Sequence, residues 1–359
     1  MERVDLKSLS IDELKEVFNS IGEKEYRSIQ TFSFIHGNMI SKISDITVLS
    51  KSLRDKLEEN FYISDLDIIK RFDSKIDNTK KYLFLLEDGN IIESVVMEYN
   101  YGTTACISTQ VGCRMGCAFC ASTKEGLVRN LTPGEILSQV YGIQRDLNIK
   151  LSNIVLMGSG EPLDNYENVL KFLYLLHNKN GQNFSFRNIT LSTCGLVPKI
   201  YELANEELPI TLSISLHSPF NEDRKKMMPI GKKYSIEEII NACHYYVKKT
   251  NRRITFEYTL IKNKNDRKKD LEELNRILKG LHCHINLIPL NPIEEYKENT
   301  SDKDIIKKIK DELENRGINV TVRREMGSDI NAACGQLRRD YINSKSWTKY
   351  KYSGVIAWI

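Results

Sequence analysis

Three cysteines, Cys113, Cys117 and Cys120, stand four and three residues apart in the stretch Cys113-Arg-Met-Gly-Cys117-Ala-Phe119-Cys120. A tight loop with this spacing turns three sulfurs toward one point, as ligation of an iron–sulfur cube requires. Structural zinc takes four protein ligands, and an electron-transfer cluster ordinarily takes four thiolates. The next cysteine downstream is Cys194, far outside ribbon spacing. Three thiolates point to a cube with one iron left open for a ligand that is not protein. Unrelated core thiols explain the stretch less well, because an apolar core has no reason to repeat Cys so densely beside Gly112, Gly116 and Arg114.

Other polar residues recur at the ends of apolar runs. Met157-Gly-Ser-Gly160-Glu161-Pro162-Leu163 combines small residues, which let backbone approach a ligand, with a carboxylate suited to an amine. Leu191-Ser192-Thr193, Ser215-Leu216-His217 and Leu290-Asn291-Pro292 follow the same plan. Singly, each has a structural explanation, such as a capping Ser or a satisfied loop His. Jointly, and with the cysteine loop, they ring one pocket. Cys106 stands just before that loop, and Glu93 lies between apolar neighbours where strand alternation sends a carboxylate to solvent. Cys334 belongs to Asp329-Ile-Asn-Ala-Ala-Cys334-Gly-Gln-Leu, a segment with no helical or strand period, so packing does not account for it. Cys194, Cys243 and Cys283 read as buried inert thiols.

The elements that must position these residues follow from periodicity. Residues 1–63 are predicted helical: Ser10-Ile-Asp-Glu13 is a capping box, Leu14, Val17, Phe18 and Ile21 form one stripe, Tyr26, Ile29, Phe32 and Ile35 a second, and Ser50 opens a third helix. Residues 64–98 carry β-rich runs at 82–86 and 91–97 around the hairpin signal Asp88-Gly89. From 99 to 323 the pattern alternates, with strands near 104–108, 153–158, 188–193, 210–216, 253–261 and 284–290. Helices fall near 133–147, 165–177, 197–205, 236–250, 267–280 and 302–316. Such alternation means an α/β fold with a parallel sheet. Six units fall short of the eight that close a barrel, which predicts a partial, laterally open (β/α)6 TIM-like barrel whose active site lies at the carboxyl ends of its strands. Residues 324–359 form a C-terminal segment carrying Cys334.

With 359 residues, 28% charged, and a net charge of only +4, the chain is no overall polycation. The excess is local: Arg224 to Lys269 holds fourteen Lys and Arg against four acids. That is an electrostatic footprint for a polyanion, or equally a set of lysine-solvated helix faces. The charged N-terminus has no apolar signal core, and no uncharged run approaches the roughly 18 residues of a membrane span. Eight cysteines without a secretory signal read as cytoplasmic thiols and cluster ligands. Monomer is the default expectation.

With these pieces assembled, the chain resembles the radical S-adenosylmethionine (SAM) superfamily, whose signature is Cys-x3-Cys-x2-Cys with an aromatic before the last Cys. Within it, Gly160-Glu161-Pro162-Leu163, Ser215-Leu216-His217 and Ala333-Cys334-Gly335-Gln336-Leu337 resemble the dual-specificity RNA adenine-C2 methyltransferases of 23S rRNA and tRNA. The resemblance implies that Cys113, Cys117 and Cys120 hold a 4Fe-4S cluster whose open iron binds SAM. It implies that Gly160, Glu161, Ser192, Ser215, Leu216, His217 and Asn291 line the SAM pocket. Cys334 would be methylated by a first SAM, and a radical from a second would activate that methyl group for addition to C2 of adenine. Cys106 would then form a transient disulfide with Cys334 to release the base, and Glu93 would accept the proton. The chemistry requires such parts, since adenine C2 is electrophilic and resists direct methyl transfer from SAM. A flavodoxin or ferredoxin is the implied electron donor. Ser159 departs from the family, many members of which carry Met there.

Two other readings compete. The related adenine-C8 methyltransferases, which confer antibiotic resistance on the ribosome, share the cysteines and barrel, but their loop tends to read Gly-Glu-Ala-Leu. A non-enzymatic RNA-binding protein with a structural metal needs a fourth ligand that the spacing does not offer.

Overall fold

The computed structural model describes residues 3–291, 296–330 and 332. Its first module is helical: α1 (Ile11–Ser20), α2 (Tyr26–Phe32), which runs on into a single wide turn over Ser33–Gly37, and α3 (Lys51–Asn60). The Ser10/Glu13 capping box forms, and Ser50 caps α3. Val4–Asp5 pairs in parallel with Phe61–Tyr62, so the two ends of the module are tied together. The second predicted stripe is only half right. Phe32 and Ile35 are buried, but Tyr26 and Ile29 face outward and Ser28 and Thr31 take the inner positions.

Ten strands form one sheet, in strict sequence order: β1 (Asp67–Asp73), β2 (Lys80–Leu85), β3 (Ile91–Tyr99), β4 (Gly102–Cys106), β5 (Asn153–Leu156), β6 (Ile189–Thr193), β7 (Thr211–Ser215), β8 (Ile254–Leu260), β9 (Cys283–Pro289) and β10 (Asn319–Val322). The first four pair antiparallel, and β4 through β10 run parallel. Helices separate the parallel strands: α4 (Pro133–Leu147), α5 (Tyr166–His177), α6 (Val197–Asn205), α7 (Asn221–Met227), α8 (Ile236–Thr250), α9 (Lys268–Leu278) and α10 (Lys303–Asn315). Within this sheet and its connecting helices, three elements escaped the sequence reading. The edge strand β1 is mostly exposed and so shows no buried alternation. The helix α7 spans only seven residues. The strand β10 adds a seventh parallel member, four residues long. The hairpin is continuous with the main sheet, because Val95 of β3 pairs with Cys106 of β4.

The sheet has two free edges and does not close. It must nevertheless curl. Strands β3 and β10 would lie roughly 34 Å apart in a flat sheet at about 4.8 Å per strand. Yet Glu93 of β3 and Arg323, next to β10, line one cavity of about 250 Å³.

The helical module docks on the start of α4. The Asp5 carboxylate accepts from Ser8 Oγ (2.7 Å) and the Ser64 amide (2.8 Å), and Lys7 Nζ donates to Ser138 Oγ on α4 (2.8 Å). Ser8 Oγ in turn accepts from the Gly134 amide (2.9 Å). A Cβ on Gly134 would collide with Asp5 Oδ2 and Ser64 Oγ. Gly134→Ala is expected to cost about 1–3 kcal/mol as overpacking, read by urea denaturation, with faster proteolysis between the module and the barrel. Unchanged stability would show that this joint is loose.

Candidate active site

The cysteine loop follows β4 and is bracketed by a ribbon that the sequence did not reveal. Gln110–Gly112 pairs antiparallel with Leu127–Asn130, and the Cys113 amide donates to the Gly126 carbonyl (3.0 Å). Gly112 has φ +75°, and a Cβ there would strike that same carbonyl, so only glycine fits. The middle of the loop is pinned to the end of α7 by Ala118 N–H donating to the Met227 carbonyl (2.9 Å). Cys113 and Cys117 are buried and Cys120 is half-buried. Thr123 Oγ1 donates to the Cys120 carbonyl (2.9 Å) and Arg114 pairs with Asp164 (2.6 Å).

After β5, Gly160 adopts φ +109° with Gln110 against it, and the Glu161 amide donates to Gln110 Oε1 (2.9 Å). Glu161 is buried, and its carboxylate already accepts from the Cys194 amide (2.7 Å) and the Leu163 amide (3.0 Å). Its first task is thus to fasten the loops after β5 and β6, with lone pairs remaining for an amine. Ser159 fills its position with a buried side chain; its amide donates to Ser108 Oγ (2.9 Å) and its carbonyl accepts from the Thr109 and Gln110 amides.

His217 follows β7 in the left-handed region (φ +55°), held by Leu216 and His217 amides that both donate to the Glu257 carbonyl. Its Nδ1 accepts from the Thr259 amide (3.0 Å), which leaves the proton on Nε2. Phe119, the aromatic of the cysteine loop, packs edge-on against the imidazole at 4.7 Å. Ser192 and Ser215 are half-buried on β6 and β7, and Leu216 is fully buried. The 250 Å³ cavity itself gathers Glu93, Cys106, Cys120 and Asn291 with Phe119 and Ser159. Gly160, Glu161, Ser192, Ser215, Leu216 and His217 are not among its lining residues. The segment after β10 returns to this cavity. Asp329 accepts from Ser74 Oγ and the Lys75 amide (both 2.7 Å), the Gly327 amide donates to Asp77 (2.9 Å), and Ala332 joins the lining. Cys334 lies outside the described residues, as do Arg338 and Arg339.

Residues 107–276 match the family model described as the radical SAM superfamily, and residues 4–63 match that of the ribosomal RNA large subunit methyltransferase N-terminal domain. A relative from Clostridioides difficile (strain 630), named "Probable dual-specificity RNA methyltransferase RlmN", is 56% identical over 340 residues, which cover 95% of this chain and 99% of the relative. One of the same name from Clostridium novyi (strain NT) is 54% identical, covering 94% and 98%. The crystal structure of a radical SAM methyltransferase from Sphaerobacter thermophilus superposes with a TM-score of 0.88 at 42% identity, covering 93% of this chain and 98% of that one. The chain belongs to the RlmN family of radical SAM RNA methyltransferases.

Radical SAM enzymes use a 4Fe-4S cluster and SAM, and the cysteine loop fits the cluster. Its three thiols share one short loop and sense one another's charge. Burial pushes Cys113 up to about 12 and Cys117 higher still, so ligation must displace their protons. Without metal the thiols are neighbours and not yet a closed set: among the described residues no three thiol, imidazole or carboxylate groups converge at metal-binding distance. Cys113, Cys117, Cys194, Cys243 and Cys283 are free thiols. Cys194, Cys243 and Cys283 are buried as expected, but Cys194 packs directly beside Cys117.

Two expectations need correction. Glu93 does not point to solvent: it is 6% exposed, with Lys81 Nζ, also fully buried, 3.3 Å from its carboxylate. Leu83 is the partner directly opposite Glu93, so Lys81 reaches it from two residues along the neighbouring strand. That two-residue offset was the missed signal. The basic stretch 224–269 is also far less bare than its composition suggests. Lys225, Lys226, Lys249, Lys262, Lys264, Arg267 and Lys268 each pair with an acid, most of those acids lying just outside the counted window. Arg224 is buried outright. By contrast, Arg323 and Arg324 do line the cavity.

The same burial makes a pH prediction. Desolvation depresses His217 from 6.5 to about 3, so the folded protein holds it neutral while the unfolded chain protonates it. The unfolded state then binds more protons below pH 6.5, and stability falls with pH through that window. Between pH 7 and pH 5 the His217 contribution should fall by about 2 kcal/mol. His217→Gln should flatten the acid slope of the unfolding free energy by that amount. An unchanged slope would mean His217 is solvated.

Proposed function

We propose that this enzyme methylates C2 of an adenosine in 23S rRNA, at the peptidyl-transferase centre, and of the adenosine 3′ to the anticodon in a subset of tRNAs. The observation that carries this reading is the meeting of Cys106, Glu93 and Cys120 in one cavity, with the chain that leads to Cys334 passing along its wall at Ala332. When bound, the cluster and SAM supply the electron and the organic radical that activates a methyl group; two SAM molecules are used per turnover. The rest is done by the chain's own residues. Cys334 carries the methyl group as a thioether and delivers its carbon to the ring. Glu93, buried beside Lys81, takes the C2 proton from the adduct. Attack of the Cys106 thiolate on the Cys334 sulfur forms the disulfide and breaks the bond from sulfur to the transferred carbon, which keeps the electron pair and takes up a proton to become the methyl group of the freed base. Glu161, Ser192, Ser215, His217 and Asn291 position SAM, with Phe119 buttressing His217.

The target base must leave its stack to reach the cavity, at a cost of a few kcal/mol. Arg323 and Arg324 at the cavity and the unpaired lysines of 224–269, such as Lys232, Lys233 and Lys248, are the phosphate contacts we assign. Substrates of this kind place the enzyme in the cytoplasm, with a flavodoxin or ferredoxin as electron donor and the monomer as working unit. No helix among the described residues is long and apolar enough to cross a membrane.

Deletion of the gene should abolish 2-methyladenosine in rRNA and tRNA by mass spectrometry. Loss of 8-methyladenosine instead would favour the C8 reaction, and no change in either would sink the assignment. Cys106→Ala should accumulate RNA covalently attached to the protein, resolved as a shifted band that ribonuclease removes. Normal turnover by this variant would exclude Cys106 as the resolving thiol.

A further inference from the structure

Arg224 on α7 is among the largest side chains fully removed from solvent. Its Nη2 donates to the carbonyls of Cys194 (2.6 Å) and Ser215 (3.3 Å), while Nε and Nη1 have no hydrogen-bond partner among the described residues. No carboxylate pairs with it among the described residues. A cation taken wholly out of water is costly unless an anion answers it. Two glycines make its room: a Cβ on Gly195 would lie 3.3 Å from Nη2, and one on Gly231 3.4 Å from Nη1.

The surroundings identify the missing anion. The helix that carries Arg224 ends against the cysteine loop through the Ala118–Met227 hydrogen bond. Cys117 and Cys194 pack with Met227 and Met228 in one apolar cluster. Burial pushes both of these thiols up, and the Arg224 charge pulls against that rise. Three thiolates around an iron–sulfur core leave a net negative charge, and one-electron reduction adds another. In so dry a setting, a fixed positive charge acts strongly on that equilibrium.

We propose that Arg224 is the built-in counter-charge of the cluster: its unsatisfied guanidinium face offsets the negative charge of the thiolate-ligated cube and raises its reduction potential. Arg224 is therefore a positioning residue that sets which electron donors can reduce the enzyme. The inference rests on Cys113, Cys117 and Cys120 holding the cluster.

The test compares full-length wild type, Arg224→Gln and Arg224→Lys, anaerobically reconstituted, by iron content, visible absorption and EPR-monitored redox titration. Wild type without an iron–sulfur spectrum would remove the cluster reading itself, before any variant is compared. Arg224→Gln keeps a donor for the Cys194 carbonyl but no charge. Its potential should fall by at least about 59 mV, a tenfold change in the one-electron equilibrium, while Arg224→Lys stays near wild type. Iron lost from Arg224→Gln but retained by Arg224→Lys also supports the proposal, as the same charge requirement met at assembly. Iron lost from both, with the barrel still folded by circular dichroism, overturns it in favour of a carbonyl clamp. An unchanged potential in Arg224→Gln overturns it as well, and weaker SAM binding in that case would assign the arginine to the SAM carboxylate.

Discussion

A loop built to bind a cluster has almost nothing of its own to fold around. Residues 113–126 contain no buried stripe and no ladder, and their shape is imposed from outside. The Gln110–Gly112 and Leu127–Asn130 ribbon fixes both ends, α7 fixes the middle through Met227, and Gly112 supplies a conformation that no other residue tolerates. Each of these holds the loop by backbone groups. Much of the nearby hydrogen bonding follows the same rule. Gln139 of α4 bonds both the amide and the carbonyl of Ser108, and Glu161 bonds the amides of Leu163 and Cys194. The polar side chains at the site are engaged first as braces for backbone.

Much of this architecture was legible in the sequence because it rests on short-range rules. The capping box at Ser10 forms as its spacing demands, and α4, α6 and α8 begin and end where the periodicity places them. The parallel strands show because apolar residues alternate along them, as with Ile189 and Leu191, Leu212 and Ile214, and Ile285 and Leu287, between the helical stripes. What escaped was set by neighbours distant in sequence. Glu93 looked solvent-facing because nothing local announces that its face of the sheet turns into the cavity, or that Lys81 lies beside it. The paired lysines of the basic stretch looked free because their partners, such as Glu207, Glu298 and Asp302, sit on other elements. Composition counts charges, and only the fold says which of them meet.

At the site, the division is similar. The cysteine loop was legible from spacing, since a short loop fixes the relation of Cys113, Cys117 and Cys120, whereas Gly160 and Glu161 stood out only as a Gly-rich turn beside a carboxylate. The Phe119–His217 contact joins residues nearly a hundred positions apart and left no periodic trace. Arg224 was counted as surface charge because a seven-residue helix gives no face on which to judge burial.

The strict order of the ten strands bears on how the enzyme is made. Each strand can add to the edge left by its predecessor as the chain emerges from the ribosome, with only short crossovers to close. The cavity, however, has Glu93 and Cys106 on one wall and Arg323 and Ala332 on the other. A nascent chain halted before β10 would already have laid down most of its sheet and the whole cysteine loop, yet it would lack the far wall. The residues that would ligate the cluster thus precede the far wall along the chain, and the chamber has an open flank until β10 is in place.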